Sequence, residues 1–305
     1  MKKVLLITNP LAADGRSASL FAGSRVLESD FERVVVDVRS QTDLASVLST
    51  AKPADTAGIV VFGGDGTINR CLASLSGNSI PVAVFPAGTV NDLALDLGMT
   101  KSWEHLKELL LTGRCEPLPL LSVNERRFAV YGALGLGAET SRRLQHSRGA
   151  LKAFRQTFPM IQTPLFTALT IFFSSEYMKR LRLTLDGVPR DFRTPGIYIV
   201  NQRSVNRRID LEWDRTANPR RFRLVVFKPI GKRALLNAVM RLSKTGRLSS
   251  IRSAVDVYDV ERALVESMDD EPIYFVADGE PVVNDRRLNI LVEAESLLVY
   301  RGGPR

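Results

Sequence analysis

Two glycine-punctuated loops follow two short apolar runs in close succession. Gly63-Gly64-Asp65-Gly66-Thr67 comes after Ile59-Val60-Val61-Phe62, and Pro86-Ala87-Gly88-Thr89-Val90-Asn91-Asp92 after Val82-Ala83-Val84-Phe85. Each loop leads from a strand-like run into a helical pattern, and such units in tandem belong to a parallel sheet whose loops gather at one edge. The glycines around Asp65 are expected to turn the backbone at positive φ and bring N–H groups within reach of phosphate oxygens. The carboxylate between them would hold a cation over those oxygens. A helix from Ile68 to Leu75 would aim its positive end at the same place.

The first 115 residues continue this alternation. Strands are predicted at Val4 to Thr8, Val34 to Val38, Ile59 to Phe62 and Val82 to Phe85, and helices at Ser17 to Leu27, Asp43 to Leu48, Ile68 to Leu75 and Trp103 to Leu111. Ligands of such sheets collect at the carboxyl ends of the strands, where Asn9-Pro10 joins the two loops. After Pro117-Leu118-Pro119 the pattern changes to strands without regular helices between them: Phe128 to Tyr131, Leu181 to Leu185, Ile197 to Val200, Arg223 to Phe227, Ala254 to Val257 and Ile273 to Val276. That grammar predicts an antiparallel second domain. Helical stretches at Ala150 to Phe173 and Lys232 to Leu242 interrupt it. The expected division is therefore an α/β domain over 1–117 and a β-rich domain over 118–287, with 288–305 returning as a strand to complete the first.

Charge separates the chain more sharply than its total of +9 suggests. From Arg142 to Arg252 there are 24 Lys/Arg against 6 Asp/Glu, whereas the remainder is net acidic. A basic middle region attracts phosphate-rich partners, and its scarcity of interleaved aromatics ranks an anionic membrane surface above nucleic acid. The start, Lys2-Lys3 before a short apolar run that Asn9-Pro10 stops, reads as a first strand and not as a signal peptide. Leu165 to Phe173 is too short to span a bilayer. Cys71 and Cys115 stand alone, which predicts a reducing cytoplasm, no disulfide framework and no zinc.

These residues resemble the diacylglycerol kinase catalytic-domain family of bacterial soluble lipid kinases, to which sphingosine and ceramide kinases are related. The resemblance rests on Asn9-Pro10, on Gly63-Gly64-Asp65-Gly66-Thr67 with Asn69, and on Pro86-x-Gly88-Thr89-x-Asn91-Asp92-Leu93-Ala94. Gly135-Leu136-Gly137-Ala138-Glu139, Leu185-Asp186-Gly187 and Asp278-Gly279-Glu280 complete it. It implies a Rossmann-like α/β domain of the phosphofructokinase and NAD-kinase type plus a mainly antiparallel β-sandwich, with the active site in the cleft between them. The implied reaction is transfer of the γ-phosphoryl group of ATP, with Mg²⁺, to a diacylglycerol-like lipid at the inner face of the membrane. The nucleotide would be bound by Asn9, Pro10, Gly63, Gly64, Asp65, Gly66, Thr67, Asn69, Gly88, Thr89, Asn91 and Asp92, and the metal by Asp65, Asp92 and Glu280. Asp278 is the implied general base, although in some relatives the acid of the first loop has that role.

Phosphoryl transfer needs phosphate cradling, charge neutralisation and a base near the acceptor hydroxyl. Asp278 and Glu280, one glycine apart, would point to one face of an extended strand, and such pairing raises the affinity of one of them for a proton. Asp186-Gly187 reads as a hairpin turn. The chain departs from the family at Arg70, Pro119 and Asn218-Pro219-Arg220, where acidic residues are usual, so a second Mg²⁺ site is expected to be missing and Arg220 with Arg221 to supply fixed positive charge instead. A kinase for a soluble acceptor such as NAD, and a lipid or nucleotide sensor without turnover, are the competing readings. The sequence leaves a homodimer open.

Overall fold

A computed structural model describes residues 1–8, 15–37, 41–88, 91–146, 162–173, 177–202, 204–205, 209–210, 212–213 and 218–302. Two compact units emerge: Met1–Leu120 with Glu293–Arg305, and Leu121–Val292. Asn9, Pro10, Thr89 and residues 150–161 of the long helix expected from Ala150 lie outside the described residues.

The first unit is built on β1 (Lys2–Thr8), β2 (Phe31–Asp37), β3 (Thr56–Gly63) and β4 (Val82–Pro86). β1 pairs with β2 and β3, and β3 with β4, all in parallel. Val4 to Ile7, Ile59 to Val61 and Val82 to Phe85 are all buried, the unbroken apolar run that a strand covered on both faces requires. Helices follow at Gly15–Ala22, Gln41–Thr50, Asp65–Leu75, Asp92–Asp96 and Trp103–Thr112. The single helix expected from Ser17 to Leu27 instead tightens to a 3₁₀ segment at Gly23–Ser29. The change falls where Gly23 abuts Trp103: an added Cβ would lie 2.7 Å from the indole Cδ1. Trp103 stacks on Phe85 at 4.0 Å and donates its indole N–H to the Leu20 carbonyl at 2.6 Å, so the ring ties the early helix to the sheet.

Helix Asp65–Leu75 buries Cys71 completely, which pushes its thiol up to about 12. At pH 8 the reactive thiolate is then about 10⁻⁴ of the population. In a titration with Ellman's reagent, the native protein should release the equivalent of the half-buried Cys115 and yield Cys71 only after unfolding in urea. Release of both at the native rate would contradict this packing.

The second unit takes over within β5 (Cys115–Val123). It continues with β6 (Arg126–Phe128), β7 (Tyr131–Gly135), β8 (Lys179–Leu185), β9 (Val188–Thr194), β10 (Gly196–Val200), β11 (Ser204–Val205) and β12 (Ile209–Asp210). β13 (Phe222–Phe227), β14 (Val255–Val260), β15 (Arg262–Ser267), β16 (Ile273–Ala277), β17 (Glu280–Asp285) and β18 (Arg287–Tyr300) complete it. One antiparallel sheet has the order β14-β13-β10-β7-β16-β17. The other joins β18, β15, β8 and β9, also antiparallel. Leu134, Ile197, Leu224 and Phe275 of the first share a core with Leu183, Val265 and Ile290 of the second, as in a β-sandwich.

Three features differ from the sequence-based expectation. Helix Leu136–His146 follows β7 directly, inside a stretch expected to hold strands only. The strand expected over Phe128 to Tyr131 is interrupted at Ala129-Val130, between β6 and β7. β9, β15 and β17 went unpredicted because their exposed, charge-rich faces dilute the alternating signal. The last strand does return: Arg262 pairs with Leu291 in the second unit, and Val299 pairs in parallel with Val82 in the first. There the Tyr300 hydroxyl donates to the Ala57 carbonyl at 2.6 Å.

Candidate active site

At the carboxyl ends of β3 and β4 the two glycine loops are locked together. Gly63 pairs with Pro86, and the Ala87 N–H donates to the Gly63 carbonyl at 3.1 Å. A Cβ added to Gly88 would lie 2.5 Å from Gly64 Cα, and one added to Gly64 would lie 2.9 Å from Gly88 Cα. Positive φ, the expected role of these glycines, is not what they provide. None of Gly63, Gly64, Gly66 or Gly88 has it. Their missing side chains let two backbones touch, and at Gly63 they make room for Thr67, whose Cβ would be 2.6 Å from an added one. The left-handed residue is Asn91, at φ 60°, which caps helix Asp92–Asp96.

Asp65 fastens the second loop to the first. It opens helix Asp65–Leu75, and its carboxylate accepts the Asn91 N–H at 2.9 Å and the Leu93 N–H at 3.4 Å. Burial raises its pKa above the usual carboxylate value, against the opposing pull of these backbone donors. Asn91 holds the loop's shape: its side-chain oxygen accepts the Gly88 N–H at 2.8 Å and its amide donates to the Gly88 carbonyl at 2.7 Å. Asp92 and Thr67 are buried beside them, Asn69 is half-buried and Arg70 is exposed. The structure thus brings Gly63, Gly64, Asp65, Thr67, Gly88, Asn91 and Asp92 into one constellation. Sequence reading marked Asp65 as a metal ligand and missed its service as a backbone acceptor between loops.

In the second unit, Asp278-Gly279 forms the tight turn between β16 and β17, with φ of 47° and 83°. The extended strand expected to present Asp278 and Glu280 on one face is therefore absent: Ala277 pairs with Glu280 across a hairpin, the form that Asp-Gly favours. Asp278 is nonetheless buried. Its Oδ1 accepts the N–H groups of Val130 and Tyr131 at 2.9 and 2.8 Å, its Oδ2 accepts that of Ala129 at 2.8 Å, and its own N–H donates to the Tyr131 carbonyl. This explains the break between β6 and β7, since these amides turn to the carboxylate and not to a neighbouring strand. From the other side Asn201 and Gln202 both donate side-chain N–H groups to the Ala129 carbonyl, at 2.7 and 3.1 Å. Sequence reading missed this amide pair; the signal was two polar residues closing the apolar strand Ile197 to Val200. Asp186-Gly187 is the hairpin turn between β8 and β9, and it repeats the device: Asp186 Oδ1 accepts the Glu261 and Arg262 N–H groups, both at 2.9 Å.

In the Gly135 to Glu139 segment, Gly135 has φ 66° and Gly137 lies under the Tyr198 ring, whose hydroxyl burial pushes up to about 12. Glu139 is bound by Arg142 and Arg143 at 2.7 and 2.9 Å. Arg223 makes a double 2.7 Å contact with Asp259, and Arg221 faces the Asp259 carbonyl and Glu261. Arg223, not singled out from the sequence, is a further cation of this region, held by Asp259. No three His, Cys, Asp or Glu side chains form a metal-binding group among the described residues.

Comparison with known proteins gives the chain's relatives and its fold. Residues 3–123 match the family model of the diacylglycerol kinase catalytic domain. A diacylglycerol kinase of Mycobacterium tuberculosis is 28% identical over 154 residues, 48% of this chain and 50% of that protein. A "Probable lipid kinase YegS-like" of Serratia proteamaculans is 32% identical over 123 residues, 37% of this chain and 40% of that protein. The chain thus spans about half the length, or less, of these curated relatives. A crystal structure of a diacylglycerol kinase from Bacillus anthracis superposes with a TM-score of 0.69 at 17% identity, covering 99% of this chain and 97% of that one, which establishes the shared fold. A second structure from that organism gives 0.72 at 19% identity over 99% and 98% of the two chains.

Proposed function

We propose, from the match of residues 3–123 to the diacylglycerol kinase catalytic domain, that this chain is an ATP-dependent lipid kinase whose acceptor is a diacylglycerol-like lipid hydroxyl. The observation that carries the reading is the Asp65 bridge between two loops whose glycines touch, because it fixes two sets of loop backbone at the carboxyl ends of adjacent parallel strands. Backbone fixed in this way costs no rearrangement when a triphosphate binds, and phosphoryl transfer depends mainly on such positioning.

The residues present suit a magnesium nucleotide. Asp65 and Asp92 sit on the joined loops, and the desolvated Asp65 carboxylate gains from a neighbouring cation. Asp65 and Asp92 would hold Mg²⁺, which neutralises phosphate charge when bound and keeps several ligands from water and the nucleotide. In the transfer, the lipid hydroxyl oxygen forms a bond to the γ-phosphorus while the bond to the β–γ bridging oxygen breaks. ADP leaves, and the hydroxyl proton passes to the Asp278 carboxylate. The three backbone donors that grip Asp278 keep that acceptor in one orientation.

The test is incubation with radiolabelled ATP and mixed micelles containing diacylglycerol. Label in the organic phase, in a lipid heavier by one phosphoryl group, is the expected result. Label confined to the aqueous phase with NAD present would replace the lipid by a soluble acceptor, and nucleotide binding without any transfer would make the protein a sensor.

A further inference from the structure

We infer that helices Gln162–Phe173 and Lys232–Thr245 together form a docking face for an anionic bilayer surface. The inference deepens the lipid-kinase reading and rests on it for the reason such a face is needed, but its physical basis is separate. The two helices pack side by side in the second unit, where Lys232 Nζ donates to the Phe172 carbonyl at 3.3 Å and lies 5.4 Å from the Tyr177 ring centroid. Helix Gln162–Phe173 contains no charged residue. It buries Thr167, Thr170 and Ile171, yet Phe172 is 75% exposed and Leu169, one turn earlier, 38%. Two large apolar side chains on the outer face of an uncharged helix are unusual for a surface that meets only water.

The neighbouring helix supplies the complementary charge. Lys232–Thr245 has no acidic residue, buries Leu235 and Ala238, and presents Arg233, Asn237, Met240, Arg241 and Lys244 at helical spacing on its exposed side, with Met240 59% exposed. Elsewhere in the basic middle region several cations are answered locally: Arg180 by Asp269, Arg182 by Asp191, Arg223 by Asp259. None of the ion pairs among the described residues engages Arg233, Arg241 or Lys244. Unmatched cations beside exposed Phe, Leu and Met match the chemistry of an anionic lipid interface, where phosphates meet the cations and the apolar side chains enter the acyl boundary. No helix of the described residues is long and apolar enough to cross a membrane, so contact through these helices would be peripheral.

Co-sedimentation with phosphatidylcholine vesicles, with and without phosphatidylglycerol, tests the inference. The wild type should bind the anionic vesicles and release them as salt rises. Each basic side chain near such a surface is worth roughly a fivefold factor, so Arg233→Glu, Arg241→Glu and Lys244→Glu combined should weaken binding by at least about a hundredfold. Phe172→Trp should shift its fluorescence to the blue on vesicle addition, since the native Trp103 and Trp213 are buried and silent to such a change. Transfer to a short-chain diacylglycerol that stays monomeric in water separates the two readings. A charge-reversed protein that loses vesicle binding and vesicle-borne substrate but phosphorylates the monomeric lipid supports the docking face. Loss of vesicle binding in a protein whose wild type never phosphorylates either lipid supports the face and overturns the kinase. Unchanged sedimentation of the charge-reversed protein overturns the face, as does tighter binding of the wild type to a single-stranded oligonucleotide than to anionic vesicles at equal salt.

Discussion

Asp278→Asn is expected to remove turnover and to weaken the second unit in the same step. The carboxylate uses Oδ1 for Val130 and Tyr131 and Oδ2 for Ala129. Asparagine keeps one acceptor oxygen, so it can serve the first two amides but sets its own N–H₂ against the third. A buried N–H left without a partner costs about 1–3 kcal/mol, and Asp278→Ala, which strands all three, should cost more still. Loss of a general base lowers the rate by about 10²–10⁴-fold. Urea unfolding and initial rates on the same preparations separate the roles. If Asp278→Asn lowers stability yet leaves the rate within about twofold, the residue is a backbone anchor and the proton goes elsewhere. If both remain at wild-type values, the three hydrogen bonds do not hold this segment.

The second large effect is expected from one methyl group. Gly88→Ala places a Cβ 2.5 Å from Gly64 Cα and 2.9 Å from Asn91 Oδ1, both of them parts of the rigid loop pair. No flexible side-chain end is available to yield, so the loops must separate, and the Asn91 and Asp65 hydrogen bonds stretch with them. Overpacking of this kind typically costs 1–3 kcal/mol. Calorimetric titration should therefore show magnesium-ATP affinity falling by roughly 10- to 100-fold. Gly231→Ala, at a glycine with nothing within 4 Å of an added Cβ, is the control and should leave affinity unchanged. Equal affinity in wild type and Gly88→Ala would mean that the nucleotide does not use these loops.

The paired loops were legible because they depend on chain-local rules. Unbroken apolar runs such as Val82 to Phe85 mark strands covered on both faces, and glycine directly after such a strand marks a close approach of backbone. What approached was not legible. Positive φ and contact with another backbone leave the same letter in the sequence, and only the register of Gly63 on Pro86 shows that Gly64 needs space for Gly88. Asp278 illustrates the opposite case. Asp-Gly was readable as a turn at residues 186–187, yet at 278–280 the one-glycine spacing of the two acids favoured an extended strand; the same local chemistry operates at both sites.

The amino-acid order alone determined an α/β unit followed by an antiparallel one, and the return of the last strand. Periodicity and turn chemistry act over a few residues, so they survive in the letters. Tertiary structure alone decided what those residues touch. Asp65 reaches Asn91 26 positions away, and Asp278 reaches Ala129 149 positions away. Such bonds are selected by the closing of sheets around a common core, and no local pattern encodes which amide a buried carboxylate will meet.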